Sequence, residues 1–253
     1  MFLDQNYLKR CLFIDIETVS EKSEYSLLSD EKKALWKTKA QLIQKTSANE
    51  QKEDEIASLY QSKAGIFAEF AKVVCISMGF LSFDGEDPLK IRIKSIAGED
   101  EHRILSDFSR ILVNHYNDPE NSRICGHNIK EFDIPFICRR MVINQIRFPA
   151  ILDVSGKKPW QTTHLLDTMD MWRFGDYKNY TSLNLLAGTL GISSPKDDID
   201  GSMVGPLFWE EGDIDRIVNY CQKDVVTVVQ IIMRFVGLSL FSSEQIEYIN
   251  QKE

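Results

Sequence analysis

The sequence lacks apolar runs of the length that a membrane-spanning helix requires. Its longest runs, such as Val73–Phe80 and Val225–Met233, are far shorter than the roughly 20 residues needed to cross a bilayer. The opening residues, MFLDQNYLKR, carry charges around a few apolar side chains and show no apolar core of a secretory signal. We therefore expect a cytoplasmic protein that has no membrane partner.

Paired cysteine motifs are also missing. The chain has five cysteines and no CxxC pair. Most of them lie inside apolar stretches, where a free cysteine behaves as a small buried hydrophobic residue. The set is Cys11, Cys75, Cys125, Cys138 and Cys221. An odd, unpatterned set predicts reduced thiols and argues against a disulfide framework or a zinc centre.

An excess of positive charge is the third absence. Lys and Arg number 30 against 38 Asp and Glu, so the formal net charge is −8. This balance argues against a protein that wraps nucleic acid through general electrostatics. It is compatible with an enzyme whose acidic residues cluster to hold cations. The rest of the composition, with 43% hydrophobic residues in 253, is that of an ordinary globular protein.

Apolar periodicity predicts one α/β domain over residues 1–253, with a mixed β-sheet flanked by helices. Arg10–Ile16 is predicted as a buried strand that ends in carboxylates, and Asp84-Gly85 predicts the turn of an antiparallel pair. The further predicted elements are the strands Val73–Leu81, Leu89–Ile96 and Ser122–Cys125, the helices Glu99–Tyr116, Ile134–Ile146, Ser182–Leu190 and Asp213–Val236, and a polar loop over Ser193–Met203.

Residues 30–63 contain neither proline nor glycine and have few apolar side chains. We predict that they form a Lys-rich helical insertion after the first strand, folded as a hairpin. Lys32–Lys45 includes five lysines, no acid and Trp36. Such a segment could bind a single strand and stack a base, but a solvated helix face is the favoured interpretation.

Asp15 and Glu17 stand out among the acidic pairs because five of the six residues in Cys11–Ile16 are apolar. Residues i and i+2 point to the same face of a strand, so both acids would lie side by side on a buried element. Two like charges there are costly unless a cation neutralises them. The alternative is a strand that ends at Asp15 and spreads its acids into water.

Two further segments carry acids in apolar surroundings. Asp133 precedes Ile134-Pro135 at a predicted helix start, where it could be an ordinary N-cap. Tyr220 and Asp224 stand one turn apart on one helix face, directly before Val-Val-Thr-Val. The alternative for that pair is an Asp bound to a nearby Lys or Arg and a Tyr that fills the core. His127 is expected to be a hydrogen-bonded structural residue.

Together, these four carboxylates form the oxygen-rich set that Mg²⁺ or Mn²⁺ prefers. Two such cations can clamp the attacking and leaving oxygens of an in-line phosphoryl displacement. The residues therefore predict a site for two divalent cations and a reaction at a phosphate group.

The same residues, in this order, resemble the DEDD superfamily of 3′–5′ exonucleases, also called DnaQ-like, which has the ribonuclease-H-like fold. The matching motifs are Asp15-Ile-Glu17-Thr18, Asn128-x₃-Phe132-Asp133 and Tyr220-x₃-Asp224. A tyrosine in the third motif is typical of the DEDDy branch. Over roughly residues 10–236, the amino-acid sequence is similar to stand-alone predicted exonucleases related to the proofreading domain of family B DNA polymerases.

The resemblance implies a role for each matching residue. Four acids would hold two cations, Mg²⁺ or Mn²⁺: Asp15, Glu17, Asp133 and Asp224. Tyr220 would orient the attacking water or, as the alternative, deprotonate it. Orientation is favoured, since an unperturbed tyrosine titrates near pH ~10 and is a poor base. Thr18 would line the pocket of the terminal nucleotide. Asn128 and Phe132 would contact the penultimate one, with core packing of Phe132 as the alternative.

The implied function is metal-dependent hydrolysis of single-stranded DNA from its 3′ end, with release of nucleoside 5′-monophosphates. Two alternatives stay open: the same chemistry on RNA, and a silent nucleic-acid-binding module on the same fold. Asp167 and Asp170 are kept outside the metal set. The nearby Arg139, Arg140 and Arg147 are either nucleic-acid contacts or solvated side chains. The sequence names no protein partner.

Overall fold

The computed structural model describes residues 5–45, 52–85, 87–176, 178, 180–193 and 199–249. Within them, six strands form one sheet: β1 (Cys11–Ser20), β2 (Ala71–Asp84), β3 (Asp87–Ala97), β4 (Arg123–Gly126), β5 (Leu165–Asp167) and β6 (Ile246–Tyr248). Their spatial order is β5-β4-β1-β2-β3-β6. The pair β2–β3 is antiparallel, as predicted, whereas β1 runs parallel to β4 and antiparallel to β2. This mixed sheet, flanked by helices, confirms the predicted fold class.

Helices cover both faces of the sheet. They are α1 (Asp30–Gln44), α2 (Glu53–Lys63), α3 (Glu101–His115), α4 (Asp133–Ile143), α5 (Thr168–Arg173), α6 (Leu183–Thr189), the single turn α7 (Val204–Pro206) and α8 (Ile214–Phe235). Asp213 caps α8 as predicted, because its side chain accepts a hydrogen bond from the Arg216 amide. Of the predicted polar loop, residues 194–198 lie outside the described residues. No helix in the described part has the length and apolarity of a membrane span.

Alternate side chains of β1 enter two different cores. Leu12, Ile14 and Ile16 are buried together with side chains of α3 and α4. Cys11 and Phe13 are buried on the other face, together with side chains of α8. Because side chains alternate along a strand, the next two residues of the second row are the two acids of the first motif, and they face α8.

Gly79 of β2 lets α8 approach the sheet closely. A Cβ atom at this position would lie 2.8 Å from Val225 Cγ1 and 3.0 Å from Ile93 Cδ1. A larger residue would therefore push α8 away from the sheet. Since α8 carries the whole third motif, this contact also fixes how close that motif comes to β1.

Strand β1 is longer than predicted. It continues to Ser20, and Asp15 and Glu17 pair with Ser77 and Cys75 of β2 in the interior of the sheet. The interpretation in which the strand ends at Asp15 and spreads its acids into water is therefore wrong. Strand β6 was not predicted, because three residues carry too little periodicity to be recognised.

The insertion forms the two predicted helices, α1 and α2, but it has a core of its own. Trp36 is fully buried, and its Nε1 donates a hydrogen bond to the Ile56 carbonyl at 3.1 Å. The Trp36 ring packs edge to face with the Tyr60 ring, with 5.3 Å between the ring centres. A base cannot stack on an indole without an exposed face, so that alternative is wrong for Trp36. Residues 46–51, where the predicted hairpin would turn, lie outside the described residues.

Candidate active site

Asp15 and Glu17 project from the middle of β1 toward α8. Glu17 is buried, whereas Asp15 is partly accessible. Ligand atoms of these two acids and of Cys221 all lie within 4.8 Å of one another. Burial, followed by the charge of Asp224, raises the pKa of both acids well above the ordinary range. Two carboxylates held this close in a poorly solvated place favour a cation between them.

Cys221 is the neighbour of these acids that the sequence analysis missed. Its Sγ donates to Asp15 Oδ2 at 3.3 Å and lies 3.4 Å from the Asp15 carbonyl oxygen. The one available signal was its position next to Tyr220 in the last predicted helix. The thiol opposes part of the upward pKa shift of Asp15.

Helix α8 presents Tyr220 and Asp224 one turn apart toward β1. Burial raises the pKa of the Tyr220 phenol, and the charges of Asp224 and Glu17 raise it further. The phenol is also hydrogen-bonded to Asp224. A phenol with a raised pKa stays protonated at neutral pH, so it can donate a hydrogen bond.

Asp133 is the first residue of α4 and is buried. Phe132 occupies the N-cap position, so the interpretation of Asp133 as the N-cap is wrong. Burial raises the pKa of Asp133 to about 7; the amides of Asp133 and Ile16 oppose the shift, and the charges of Asp167 and Asp224 add to it. Through the Ile16 amide, the second motif meets β1.

Four predicted acids thus share one buried neighbourhood. In the described part of the chain, the tightest group contains Asp15 and Glu17 with Cys221, and Asp133 and Asp224 border it. Four carboxylates are the donor set of hard divalent cations, and the single thiol is a softer neighbour. The residues present therefore fit Mg²⁺ or Mn²⁺.

The predicted substrate-binding residues near these acids differ in exposure and in hydrogen bonding. Thr18 is partly exposed, and its hydroxyl donates to the Gly65 carbonyl at 2.7 Å. Asn128 has a left-handed backbone, with φ 62°, and its Oδ1 is buried without a hydrogen-bond partner among the residues described. Phe132 is half-buried against the main core, with its ring 5.5 Å from that of Phe136. Asn128 therefore has a buried acceptor without a partner among the described residues, whereas Phe132 packs on the core.

Asp167 holds the segment that leads to Asp133. Its buried carboxylate accepts hydrogen bonds from the amides of Asn128 at 2.9 Å and Lys130 at 3.1 Å. The same carboxylate caps α5 through the Met169 amide at 3.0 Å. Sequence analysis left Asp167 outside the metal set, and its three amide partners explain its burial without a cation.

The same segment is fixed by two further contacts. The His127 ring lies between Thr168 Oγ1 and the Thr181 carbonyl, at 2.9 Å from each, which confirms its structural role. At Gly126, a Cβ atom would collide with Ile129 Cγ2 and lie 2.9 Å from the Ile14 carbonyl. Only glycine lets this turn approach β1 so closely.

Arg140 is a structural residue and not a contact for nucleic acid. It is buried, and its guanidinium pairs with Glu101 at 2.5 Å. The guanidinium also donates a hydrogen bond to the Ala68 carbonyl at 2.8 Å. The surface alternatives for Arg140 are therefore wrong. Arg139 and Arg147 are exposed, and their interpretation stays open.

The fold has a counterpart among solved structures. The family B DNA polymerase from the hyperthermophilic archaeon Pyrobaculum calidifontis matches 88% of this chain with a TM-score of 0.53 and 14% sequence identity. The chain spans 24% of that polymerase. With the mixed six-stranded sheet, this likeness defines a ribonuclease-H-like α/β protein. No curated protein matches the sequence significantly.

The chain belongs to the family of predicted 3′–5′ exonucleases related to the exonuclease domain of PolB, whose sequence model matches residues 66–251. Asp133, Tyr220 and Asp224 lie inside this range, and Asp15 and Glu17 precede it. Membership implies a nucleic-acid substrate and the use of divalent metal ions.

Proposed function

We propose that this protein is a metal-dependent 3′–5′ exonuclease of the DEDDy type. It hydrolyses the terminal phosphodiester bond of single-stranded DNA and releases nucleoside 5′-monophosphates. The observation that carries the proposal is the convergence of acids from β1, α4 and α8, where burial and mutual charge raise the pKa values of Asp15, Glu17 and Asp133. A fold tolerates such repulsion when cations compensate it.

Two divalent cations, Mg²⁺ or Mn²⁺, would be held by four carboxylates: Asp15, Glu17, Asp133 and Asp224. When bound, such a pair supplies positive charge to the attacking and leaving oxygens of an in-line displacement. The chain's own contribution is to hold its acids on three packed elements, so that little reorganisation is needed when substrate binds. The partly accessible Asp15 and Asp224 keep this place open to solvent.

Tyr220 contributes by orientation. Its protonated phenol is hydrogen-bonded to Asp224, beside the acids of β1. From there it can direct a water molecule toward the scissile phosphate without accepting a proton. This supports the role of positioning residue and not of general base.

Substrate contacts are assigned to residues around the acids. Thr18 uses its hydroxyl proton on Gly65 but keeps acceptor capacity for the terminal nucleotide. Asn128, whose buried Oδ1 has no hydrogen-bond partner among the described residues, is assigned to the next nucleotide. Phe132 supports this assignment only through its exposed part. The five free cysteines favour a reducing compartment, so we assign the reaction to the cytoplasm.

The test is a gel assay of a 5′-labelled single-stranded DNA with Mg²⁺, Mn²⁺ or EDTA, beside the Asp15→Ala variant. We expect a metal-dependent ladder that shortens from the 3′ end and is absent with the variant. A matched RNA degraded much faster would replace DNA as the substrate. Binding of the DNA and the RNA without cleavage of either one in Mn²⁺ would favour a non-catalytic nucleic-acid-binding module.

A further inference from the structure

A cleft beside β5 presents an aromatic side chain that the core does not use. The cleft has a volume of about 520 Å³ and is lined by Lys130, Asp167 and Phe174, among others. Phe174 is 83% exposed. Because Asp167 binds the amides of Asn128 and Lys130, the cleft adjoins the segment assigned to the substrate.

The backbone of Phe174 makes this exposure more unusual. Phe174 ends α5 in the left-handed conformation, with φ 46° and ψ 34°. Glycine is the residue that normally takes this position, and a bulky side chain is rare there. Phe174 therefore combines an unfavourable backbone conformation with an apolar ring that is mostly exposed to solvent. Such a combination points to a ligand for the ring.

A second exposed aromatic residue follows Phe174 in sequence and lies near the same segment. Tyr180 is 68% exposed and directly precedes Thr181, whose carbonyl contacts the His127 ring. His127 is the neighbour of Asn128 in sequence. Phe174, through the cleft, and Tyr180, through Thr181, therefore both lie near the segment of Asn128.

The charges around the cleft allow an anionic ligand. The Asp167 carboxylate is occupied by backbone amides. Asp170 lies between two cations, with Lys130 Nζ and Arg173 Nη1 each at 3.1 Å. Lys158 is exposed next to Pro159 of the cleft lining. The two acids of the cleft lining, Asp167 and Asp170, thus both have hydrogen-bond or ion-pair partners, so a phosphate backbone is tolerated here.

We propose that Phe174, with Tyr180, forms a stacking surface for bases of a single-stranded nucleic acid, upstream of the nucleotides held by Thr18 and Asn128. This inference rests on the proposed exonuclease function, because that function places a 3′ end at the acids. Base stacking on aromatic side chains needs unpaired bases and tolerates any sequence. The surface therefore selects single strands over duplexes.

Binding is the first test. The affinity of a fluorescent single-stranded oligonucleotide is measured by anisotropy in EDTA, where hydrolysis does not proceed. Removal of one stacking side chain weakens binding about 5- to 100-fold, so we expect this loss for Phe174→Ala and for Phe174→Leu, and recovery for Phe174→Trp. The matched control is Tyr248→Ala, an aromatic residue that is 48% exposed on β6 at the opposite edge of the sheet. Equal binding by Phe174→Ala, or full binding by Phe174→Leu, would overturn the inference.

A second measurement locates the stacked base and separates this inference from the proposed function. Oligonucleotides with one abasic site at the second to sixth nucleotide from the 3′ end should reproduce the loss at one position, and Phe174→Ala should add nothing there. Hydrolysis of the p-nitrophenyl ester of thymidine 5′-monophosphate, which has no upstream base, should be unchanged in Phe174→Ala. If wild-type protein hydrolyses neither this ester nor oligonucleotides, the proposed function fails. If it hydrolyses both and Phe174→Ala has the wild-type KM for oligonucleotides, only the stacking surface fails.

Discussion

The two faces of β1 differ in the side chains that alternate along the strand: one face is apolar and the other carries two acids. On one face, Ile14 and Ile16 are buried among the apolar side chains of α3 and α4. On the other, Asp15 and Glu17 face α8, where burial and the charge of Asp224 raise the pKa of both. The comparison teaches that the apolar face fixes the strand, so the acids on the other face can be held in mutual repulsion.

The largest effect is expected when the acidic face is broken. Asp15→Asn keeps the shape of the side chain but removes a ligand charge, so exonuclease turnover should fall by roughly 10³-fold or more. In EDTA the same variant should unfold at a higher urea concentration, since one repelling charge is gone. The control is Asp215→Asn, an exposed acid at the start of α8 that should change neither quantity. Turnover within tenfold of wild type would contradict the role of Asp15.

Breaking the apolar face should have a different signature. Ile14 is fully buried, and Ile14→Ala should lower the free energy of unfolding by about 2–5 kcal/mol because it leaves a cavity. The folded fraction should retain near-normal turnover, since the side chain points away from the acids. Urea denaturation measures the first effect and an assay at low temperature the second. Ile143→Ala, at a side chain that is 50% exposed, should cost less than about 0.5 kcal/mol.

The buried carboxyl of Asp133 should make the stability of the protein depend on pH. Its pKa is raised from 3.8 to about 7, so the native state binds this proton more tightly than the unfolded chain. The stability it contributes is present below about pH 4 and is lost as pH rises to about 7, which amounts to about 4 kcal/mol at most.

Urea midpoints in EDTA between pH 5 and 7.5 measure this loss. Asp133→Asn should flatten part of the slope, and the remainder should come from Asp15 and Glu17, whose pKa values are raised in the same direction. Added Mn²⁺ should restore stability at the upper end, because it binds the charged acids. An unchanged slope in Asp133→Asn would show that this carboxyl is not responsible.

Local patterns in the sequence predict most of the sheet and the acids. A nearly continuous apolar run reveals β1, the Asp84-Gly85 turn reveals the β2–β3 pair, and helical spacing puts Tyr220 and Asp224 on one face. These features depend on residues that are close in sequence. Their convergence near β1 was expected from the resemblance to exonucleases, and roles for the individual side chains stay predictions.

Contacts between distant residues could not be predicted in this way. Trp36 is buried by Tyr60 of the insertion and by Phe67 and Phe70, which follow it, so its surroundings are not visible from the lysines beside it. Arg140 pairs with Glu101, 39 positions earlier, and a charge pattern cannot show this. Cys221 became a neighbour of Asp15 only through the packing of α8 on β1.

The smallest effect is expected at Tyr220, where the acidic face meets α8. Tyr220→Phe keeps the ring and removes the hydroxyl that is hydrogen-bonded to Asp224. If the phenol only orients water, turnover should fall about 10–100-fold, while Mn²⁺ affinity, measured by calorimetry, stays the same. Because the phenol stays protonated, no loss of rate up to about pH 9 should be traceable to it. Tyr248→Phe serves as the control. Loss of Mn²⁺ binding in Tyr220→Phe would mean that the hydroxyl positions Asp224 as a ligand, so that the acidic face depends on α8 for its geometry as much as the apolar face depends on α3 and α4.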